Sequence, residues 1–423
     1  MPATRRDIVR GLAASAGVLC APAAIRRSIA QSVQPGSLRG AEILPAPDFA
    51  RLRKTAWFVA GVRPHRTGGV RLDVEPAITT PKGTKFLIHN YGHSGAGITL
   101  SWGCAGVVCD HVENIVSLMR RTKTRPSAAI LGSGVIGLTV AAELRRKWHA
   151  LPITVYAKTL DLTQTTSFIA GGQFEPSQIW REYQGAAKPV LEGYLERSAA
   201  RIAEIERSGR GRHYGVALRQ NYTLDAADQA LDDFTPPDIV PAFKRGPLPF
   251  EALNVVGREY TTWLMNPRIL LPRLKAELGH HRVRFRQKEF ADRGEVEQLE
   301  ENIIVNCTGF GARALFRDCA VQPKRGHLAI LHNPARLAYF FSGGCGPGED
   351  VVSYMFARQH DIVVGGTVIP GDCREHFDES DPNDRDICNR ILDNAEIVFA
   401  GNPGACTDPT VVVKQCPPVP CVG

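Results

Sequence analysis

The sequence predicts an α/β fold in which a nucleotide-binding βαβ unit is interleaved with an α+β half built on a mainly antiparallel sheet. Three observations carry that expectation. Ala128-Ala129-Ile130-Leu131 reads as a buried parallel strand, Gly132-Ser133-Gly134-Val135-Ile136-Gly137 as a glycine turn, Ile136–Trp148 as a helix and Ile153–Ala157 as the next strand. A strand, glycine turn, helix and strand within about thirty residues is the setting that gives a GxGxxG string its meaning. From Gly326 onward, short β-rich runs (327–331, 351–356, 362–368) follow one another without long helices between them, as in an antiparallel sheet. Finally, 423 residues with 43% apolar and 22% charged content are enough for two domains, and too apolar for a disordered chain.

Taken in order, residues 1–30 combine a twin-arginine string with an apolar stretch. Thr4-Arg5-Arg6-Asp7 precedes Gly11–Ile25, and Ser28-Ile29-Ala30 offers small residues for cleavage. The layout is that of a Tat-type signal, too short to span a membrane; it predicts export to the periplasm or beyond, with no stable membrane anchor. Five arginines against Asp7 in these thirty residues supply half of the net charge of +8, and the remainder is only mildly basic. No basic run with interleaved aromatics is present, so nucleic-acid binding is not expected. Eleven cysteines show neither a Cys-x-x-Cys pair nor zinc-ligand spacing, and no metal site is expected. In an oxidising compartment Cys406, Cys416 and Cys421 are the candidates for pairing, while Cys307, in an apolar strand, reads as an inert thiol.

Residues 31–50 read as a linker, 56–62 as a strand ending in a turn at Arg63-Pro64, and 67–84 as a further strand. Phe86–Asn90 is apolar and runs into a glycine-rich loop, 92–97. From Ile98 to Arg121, Val107, Val108, Val112, Ile115, Val116 and Met119 recur at helical spacing. Thr122–Ser127 is a polar connector to the nucleotide unit. Beyond that unit come an amphipathic helix (187–208), short strands and loops (209–260), a helix (266–278) and strands at 283–287 and 303–307. A helix near 386–399 and a loosely attached tail, 401–423, close the chain.

The glycine turn has a physical purpose. Gly132 permits the tight turn, Gly134 lets a pyrophosphate approach the backbone, and Gly137 lets helix and strand pack closely. The unpaired N–H groups of the helix N-terminus, around Val135 and Ile136, then face the phosphates. At the end of the second strand, however, Lys158 stands where an acidic ribose ligand is usual. By this motif alone, FAD and NADP are both open.

Five blocks resemble the D-amino-acid oxidase family. They are Gly61-Val62-Arg63-Pro64-His65-Arg66, Ile88-His89-Asn90-Tyr91-Gly92-His93-Ser94-Gly95-Ala96-Gly97-Ile98-Thr99, Val155-Tyr156-Ala157 with Thr165–Pro176, Ile304–Ala312 and Gln322–Gly326. They cover most of the chain outside residues 1–30, 209–260 and the tail. The resemblance implies FAD as cofactor and a Rossmann-like FAD-binding domain interleaved with an α+β substrate domain. It also implies oxidative deamination of a D-amino acid by hydride transfer to the flavin, giving a 2-oxo acid, ammonia and hydrogen peroxide. Two other readings stand beside it: a flavin dehydrogenase of another amine or imino acid using a non-oxygen acceptor, and a non-catalytic flavin-binding protein.

Carried over by position, Arg63 matches the arginine that pairs with the substrate carboxylate, a role that suits its planar fork. Without the resemblance it would be a strand-end arginine at the surface. Tyr354, thirteen residues before Thr367, matches the pocket tyrosine; otherwise it is a core strand tyrosine. Four residues earlier the family often has a second tyrosine, and here Asp350 stands there, which would favour cationic substrates. Gly95, Ala96, Gly97, Ile98 and Thr99 match the loop around the isoalloxazine. Gly132, Gly134, Val135, Ile136, Gly137, Thr165, Thr166, Gly172 and Gly309 match positions near the pyrophosphate and ring, and Glu289 an adenine-side backbone contact. His89 and His93 are expected to be structural, because the reaction needs no ring base.

The order of the blocks is unusual. The first two resemble the segment that closes the family's chain, yet here they precede the glycine turn. The expected organisation is a Tat signal (1–30), a permuted segment equivalent to the family C-terminus (31–121), an FAD-binding βαβ unit (122–180) and a first part of the substrate domain (181–265). A second FAD-binding part (266–325), a second substrate part (326–400) and the tail (401–423) follow. Circular permutation predicts that Arg63 and Tyr354 face one flavin. The opposing possibility is that 52–121 does not fold back and the site is incomplete.

Overall fold

The computed structural model describes residues 43–224, 243–343, 351–407 and 413–416, the side chains of 351–353 excepted. The Tat-type leader, Asp350 and Cys421 lie outside the described residues.

Two sheets organise the chain. The first is parallel apart from one edge. Strands β1 (Trp57–Arg66), β2 (Ile78–Thr80) and β3 (Gly83–His89) come from the N-terminal segment, and β4 (Ala128–Leu131) and β5 (Ile153–Ala157) from the nucleotide unit. With β9 (Arg284–Gln287) and β10 (Ile303–Asn306) the order is β2-β3-β10-β4-β5-β9. The strand β3 pairs in parallel with β10, Ile304 opposite Leu87 and Val305 opposite Ile88. The second sheet, mainly antiparallel, runs β1-β11-β14-β13-β12-β6-β8-β7. Its other members are β6 (Val216–Leu224), β7 (Lys244–Pro247), β8 (Val256–Met265), β11 (Val321–His332), β12 (Tyr339–Ser342), β13 (Val351–Ala357), β14 (Asp361–Thr367) and, paired with β11 off this path, β15 (Ile369–Pro370). The segment before residue 122 therefore folds back and supplies β1 to the antiparallel sheet and β2 and β3 to the other.

Three sequence expectations shift here. Arg63-Pro64 does not end a strand: β1 continues to Arg66, with Arg63 opposite Lys324 and Pro64 opposite Pro323. A proline is tolerated because β1 is an edge strand with one side free of ladder bonds. The strand expected over 67–84 is reduced to β2, because Gly68 and Gly69 turn with positive φ, and Pro76 and Pro81 interrupt pairing. The tail is held, not loose, where it is described. Cys373 is bonded to Cys416, Asp372 bridges Gln415, and Lys414 Nζ lies 3.0 Å from Asp381. Cys319 and Cys406 are also disulfide-bonded, whereas Cys307 is a free buried thiol.

Helices cover the parallel sheet. The long α1 (Gly97–Arg121) buries Val108, Val112, Ile115, Val116 and Met119, and ends on Arg120 and Arg121, cations that suit a helix C-terminus. The nucleotide helix α2 (Val135–Lys147), α3 (Lys188–Arg207) and α4 (Pro267–His280) pack into the same core. The close approach of α1 to α3 occurs at Gly103, whose N–H donates to Ser198 Oγ at 2.8 Å. This corrects the expected boundary at 181: α3 belongs to the layer on the nucleotide sheet, and the second sheet takes up the chain only at β6. The boundary at 325 moves too, since β11 begins at Val321. The second core lies between the antiparallel sheet and α5 (Pro382–Phe399). That helix starts four residues before the expected 386, capped by Asp381 with Pro382 at its first position.

The junction at 122–127 is fastened to the sheet. Ser127 N–H donates to Asn302 Oδ1 at 2.9 Å, and Asn302 Nδ2 returns a bond to the Arg125 carbonyl at 2.8 Å.

Candidate active site

A cavity of about 820 Å³ opens between the two sheets, within the range of cofactor and ligand sites. Its nucleotide end follows from β4. Gly132 turns with φ +108°, a conformation reserved for glycine, and a side chain there would run into the Cys307 carbonyl. Ser133, Gly134, Val135 and Ile136 then line the cavity as the first turn of α2. Val135 N–H is met by Ser167 Oγ at 3.1 Å. Gly137 is not at the wall: a Cβ there would lie 3.0 Å from the Gly132 carbonyl carbon, so this glycine serves helix–strand contact and not ligand contact. Beyond β5, Lys158 pairs with Glu375, so its charge is already met. Glu289, after β9, lines the same end, and Gly309, with φ +58°, lines the wall after β10.

Thr165 and Thr166 line the middle. Thr165 caps the short helix 166–169, and Thr166 Oγ1 donates to the Val62 carbonyl at 3.2 Å, tying this helix to β1. Gly172, φ +97°, also lines the cavity, and a Cβ there would lie 2.5 Å from the Met265 carbonyl oxygen. Gly95, Gly97 and Ile98 form the rim at the N-terminus of α1. Ala96 and Thr99 are corrections to the expected contacts. Both are buried behind that rim, and Thr99 Oγ1 bonds the Glu175 backbone, donating to its carbonyl at 2.8 Å and accepting from its N–H at 3.0 Å.

The substrate-side end brings Arg63 and Tyr354 together across 291 positions of sequence. Arg63 Nη1 donates to the Thr367 carbonyl at 2.8 Å, and the guanidinium also hydrogen bonds the Tyr354 phenol. Burial pushes the Tyr354 hydroxyl up, and the charge and hydrogen bond of Arg63 oppose it. The ring stacks on Phe356 with centroids 4.6 Å apart. Arg63 forms no ion pair among the described residues, which leaves guanidinium donors for an anion. Gly326, opposite Gly61 in the β1–β11 ladder, makes room for it: a Cβ on Gly326 would lie 2.6 Å from Arg63 Cζ.

The two histidines part ways. His89 is structural, its Nδ1 accepting from Asn306 Nδ2 at 3.1 Å and its Nε2 donating to Glu75 at 2.9 Å. His93 faces the cavity instead, with a partnerless Nε2, and burial brings it down to about 3, so it stays neutral. Both amide atoms of Asn90 and the Oε1 atoms of Gln173 and Gln178 are likewise buried on this cavity without partners among the described residues. Buried polar groups are normally satisfied. Their convergence fits a polar, hydrogen-bonding heterocycle, and the glycine turn at the far end fits a pyrophosphate, so the residues present suit FAD.

Glu175 was not singled out by sequence reasoning. Half-buried, Glu175 lines the same cavity, its carboxylate without hydrogen bond or ion pair among the described residues, and the desolvation there pushes it up to about 7. The sequence signal was only its place in the Gly172–Pro176 block.

The family described as DAO, FAD dependent oxidoreductase, matches residues 127–413. The D-amino-acid oxidase of Streptomyces coelicolor is 24% identical over 246 residues, covering 56% of this chain and 68% of that protein. The D-amino-acid oxidase of Fusarium vanettenii is 26% identical over 290 residues, covering 62% and 75%. Among solved structures, glycine oxidase from Bacillus cereus is similar with a TM-score of 0.47 at 15% identity, covering 64% of this chain and 79% of that one.

Proposed function

The chain belongs to the DAO family of FAD dependent oxidoreductases, and from that premise we propose that it oxidises a D-amino acid to the corresponding imino acid. The imino acid hydrolyses to a 2-oxo acid and ammonia, and the electrons pass to oxygen. Bound FAD supplies the hydride acceptor. The observation that carries the reading is the convergence of an arginine with no ion pair among the described residues and a cavity-facing tyrosine at one end of a cavity whose other end is a glycine turn. Arg63 binds the substrate carboxylate through its fork, held by the Thr367 carbonyl; Tyr354 closes the pocket above the carboxylate. Gly134 and Ile136 would hold the pyrophosphate by backbone N–H groups at a turn shaped by Gly132, whose own N–H donates to the Tyr156 carbonyl, and by Val135, whose N–H meets Ser167 Oγ; Thr165, Thr166, Gly172 and Gly309 would lie along the dinucleotide and Glu289 at the adenine side. Gly95, Gly97 and Ile98 present backbone donors at the N-terminus of α1, where the helix dipole favours negative charge on the reduced ring.

The block order is read as a circular permutation joined through 122–127. In support, the family match begins at residue 127, while the preceding segment contributes β1 and β3 to the two sheets. Permutation is tolerated where old termini lie close together. Export through the Tat machinery is proposed from Arg5-Arg6 and the apolar run after them; the Cys373–Cys416 bond suits an oxidising compartment.

Anaerobic titration of the flavin-loaded protein with a panel of D- and L-amino acids tests the function. Bleaching of the flavin by D-amino acids, lost in Arg63→Ala, is expected. A flavin that no amino acid bleaches would refute it.

A further inference from the structure

The cavity is lined by two charged side chains of opposite sign that have no ion-pair partner among the described residues. Arg63, from β1, has no carboxylate partner among the described residues. Glu175, from the segment after Gly172, has no hydrogen-bond donor or ion-pair partner for its carboxylate among them either. The Glu175 backbone is fixed by two bonds with Thr99 Oγ1, so the carboxylate is presented from a rigid wall. Tyr354 lies between their influences: Arg63 favours its ionisation and Glu175 opposes it. Other titratable groups lining this region are His93, from the loop before α1, and Arg181, after Glu175.

A half-buried carboxylate at a cavity wall, without a partner among the described residues, is stabilised when a cation completes it. In a site whose arginine takes a carboxylate, the complementary ligand is a zwitterion, with its ammonium toward Glu175. Building on the amino-acid reading above, we propose that Glu175 binds the α-ammonium of the substrate and accepts one proton from it. In this step one N–H bond breaks and one O–H bond forms on Glu175 Oε, and no electrons are transferred. The product is the neutral amine, whose lone pair assists departure of the α-hydride to the oxidised flavin that the family binds. A group brought up to about 7 by burial is suited to take and return a proton near neutral pH.

The test separates binding from turnover. 2-Aminoisobutyrate carries the ammonium and the carboxylate but no α-hydrogen, so it binds without being oxidised; benzoate carries the carboxylate alone. Both are titrated into the flavin-loaded protein by calorimetry at about pH 6 and about pH 8, in wild type, Glu175→Gln and Glu175→Asp. For 2-aminoisobutyrate, wild-type affinity should rise between the two pH values as Glu175 ionises. Glu175→Gln should lose roughly ten- to a hundredfold in affinity, together with that pH dependence, and Glu175→Asp should recover part of both. Benzoate binding should survive in all three proteins. Equal 2-aminoisobutyrate affinity in wild type and Glu175→Gln, or a parallel loss of benzoate binding, overturns the role of Glu175 alone. A wild type that binds neither ligand overturns the amino-acid reading and this inference with it.

Discussion

Gly326→Ala probes the carboxylate clamp without touching a charged group. Gly326 sits in β11 opposite Gly61, with no positive φ, so alanine is compatible with its backbone. Its new Cβ would stand 2.6 Å from Arg63 Cζ, against an ordinary contact of 3.4 Å or more. The guanidinium is the far end of a flexible side chain and must retreat by about 1 Å. That shift stretches the 2.8 Å bond from Arg63 Nη1 to the Thr367 carbonyl and turns the fork away from Tyr354. A hydrogen bond involving a charged group contributes about 1.5–3 kcal/mol, and a misplacement of this size can cost about a hundredfold. The expected result is a ten- to hundredfold rise, approximately, in KM for a D-amino acid and in Kd for benzoate, measured by flavin absorbance. Stability should change by less than about 1 kcal/mol, because Arg63 yields into the cavity instead of straining the sheet. Benzoate affinity within twofold of wild type, roughly the error of the measurement, would refute the placement of Arg63 as the clamp.

Gly132→Ala should give folded protein purified largely without flavin, seen as a loss of the visible absorbance. The methyl would meet the Cys307 carbonyl and the φ of +108° is closed to alanine, so the glycine turn must open. In Glu75, burial pushes the carboxyl up, but hydrogen bonds from His89 and Arg293 and the charge of Arg293 outweigh it and bring it down to about 2 from 4.5. Stability from this carboxylate is thus fully present above about pH 4.5 and is lost as pH falls toward about 2. Glu75→Gln should cost about 2 kcal/mol at pH 7 and much less at about pH 3, by chemical denaturation; an equal cost at both would show that the charge is not the cause. Cys373→Ser removes a link across 43 residues and should cost about 2–4 kcal/mol, read as a lowered Tm; an unchanged Tm would show that this bond does not stabilise the fold.

What the sequence determined by itself was local. The glycine turn, the helices α1 and α2 and the buried strands β4, β5 and β10 were legible because apolar period, glycine chemistry and capping act over a few residues. The blocks that resemble an amino-acid oxidase also named Arg63, Tyr354 and most of the cavity wall. Local signals misled where partners far along the chain decide the outcome. Pro64 looked like a strand end until the edge position of β1 made its missing N–H harmless. Thr99 and Ala96 sat inside a matching string, yet packing turns them behind the rim, where Thr99 holds Glu175 in place. Glu175 itself carried no periodic or spacing signal, since its importance is an absence of partners, and that exists only once the chain is folded. The meeting of Arg63 and Tyr354 is likewise a property of the sheet order. β1 and β13 reach one cavity because β11 and β14 lie between them in the ladder, a pairing set by long-range hydrogen bonds and core burial that no stretch of residues encodes alone.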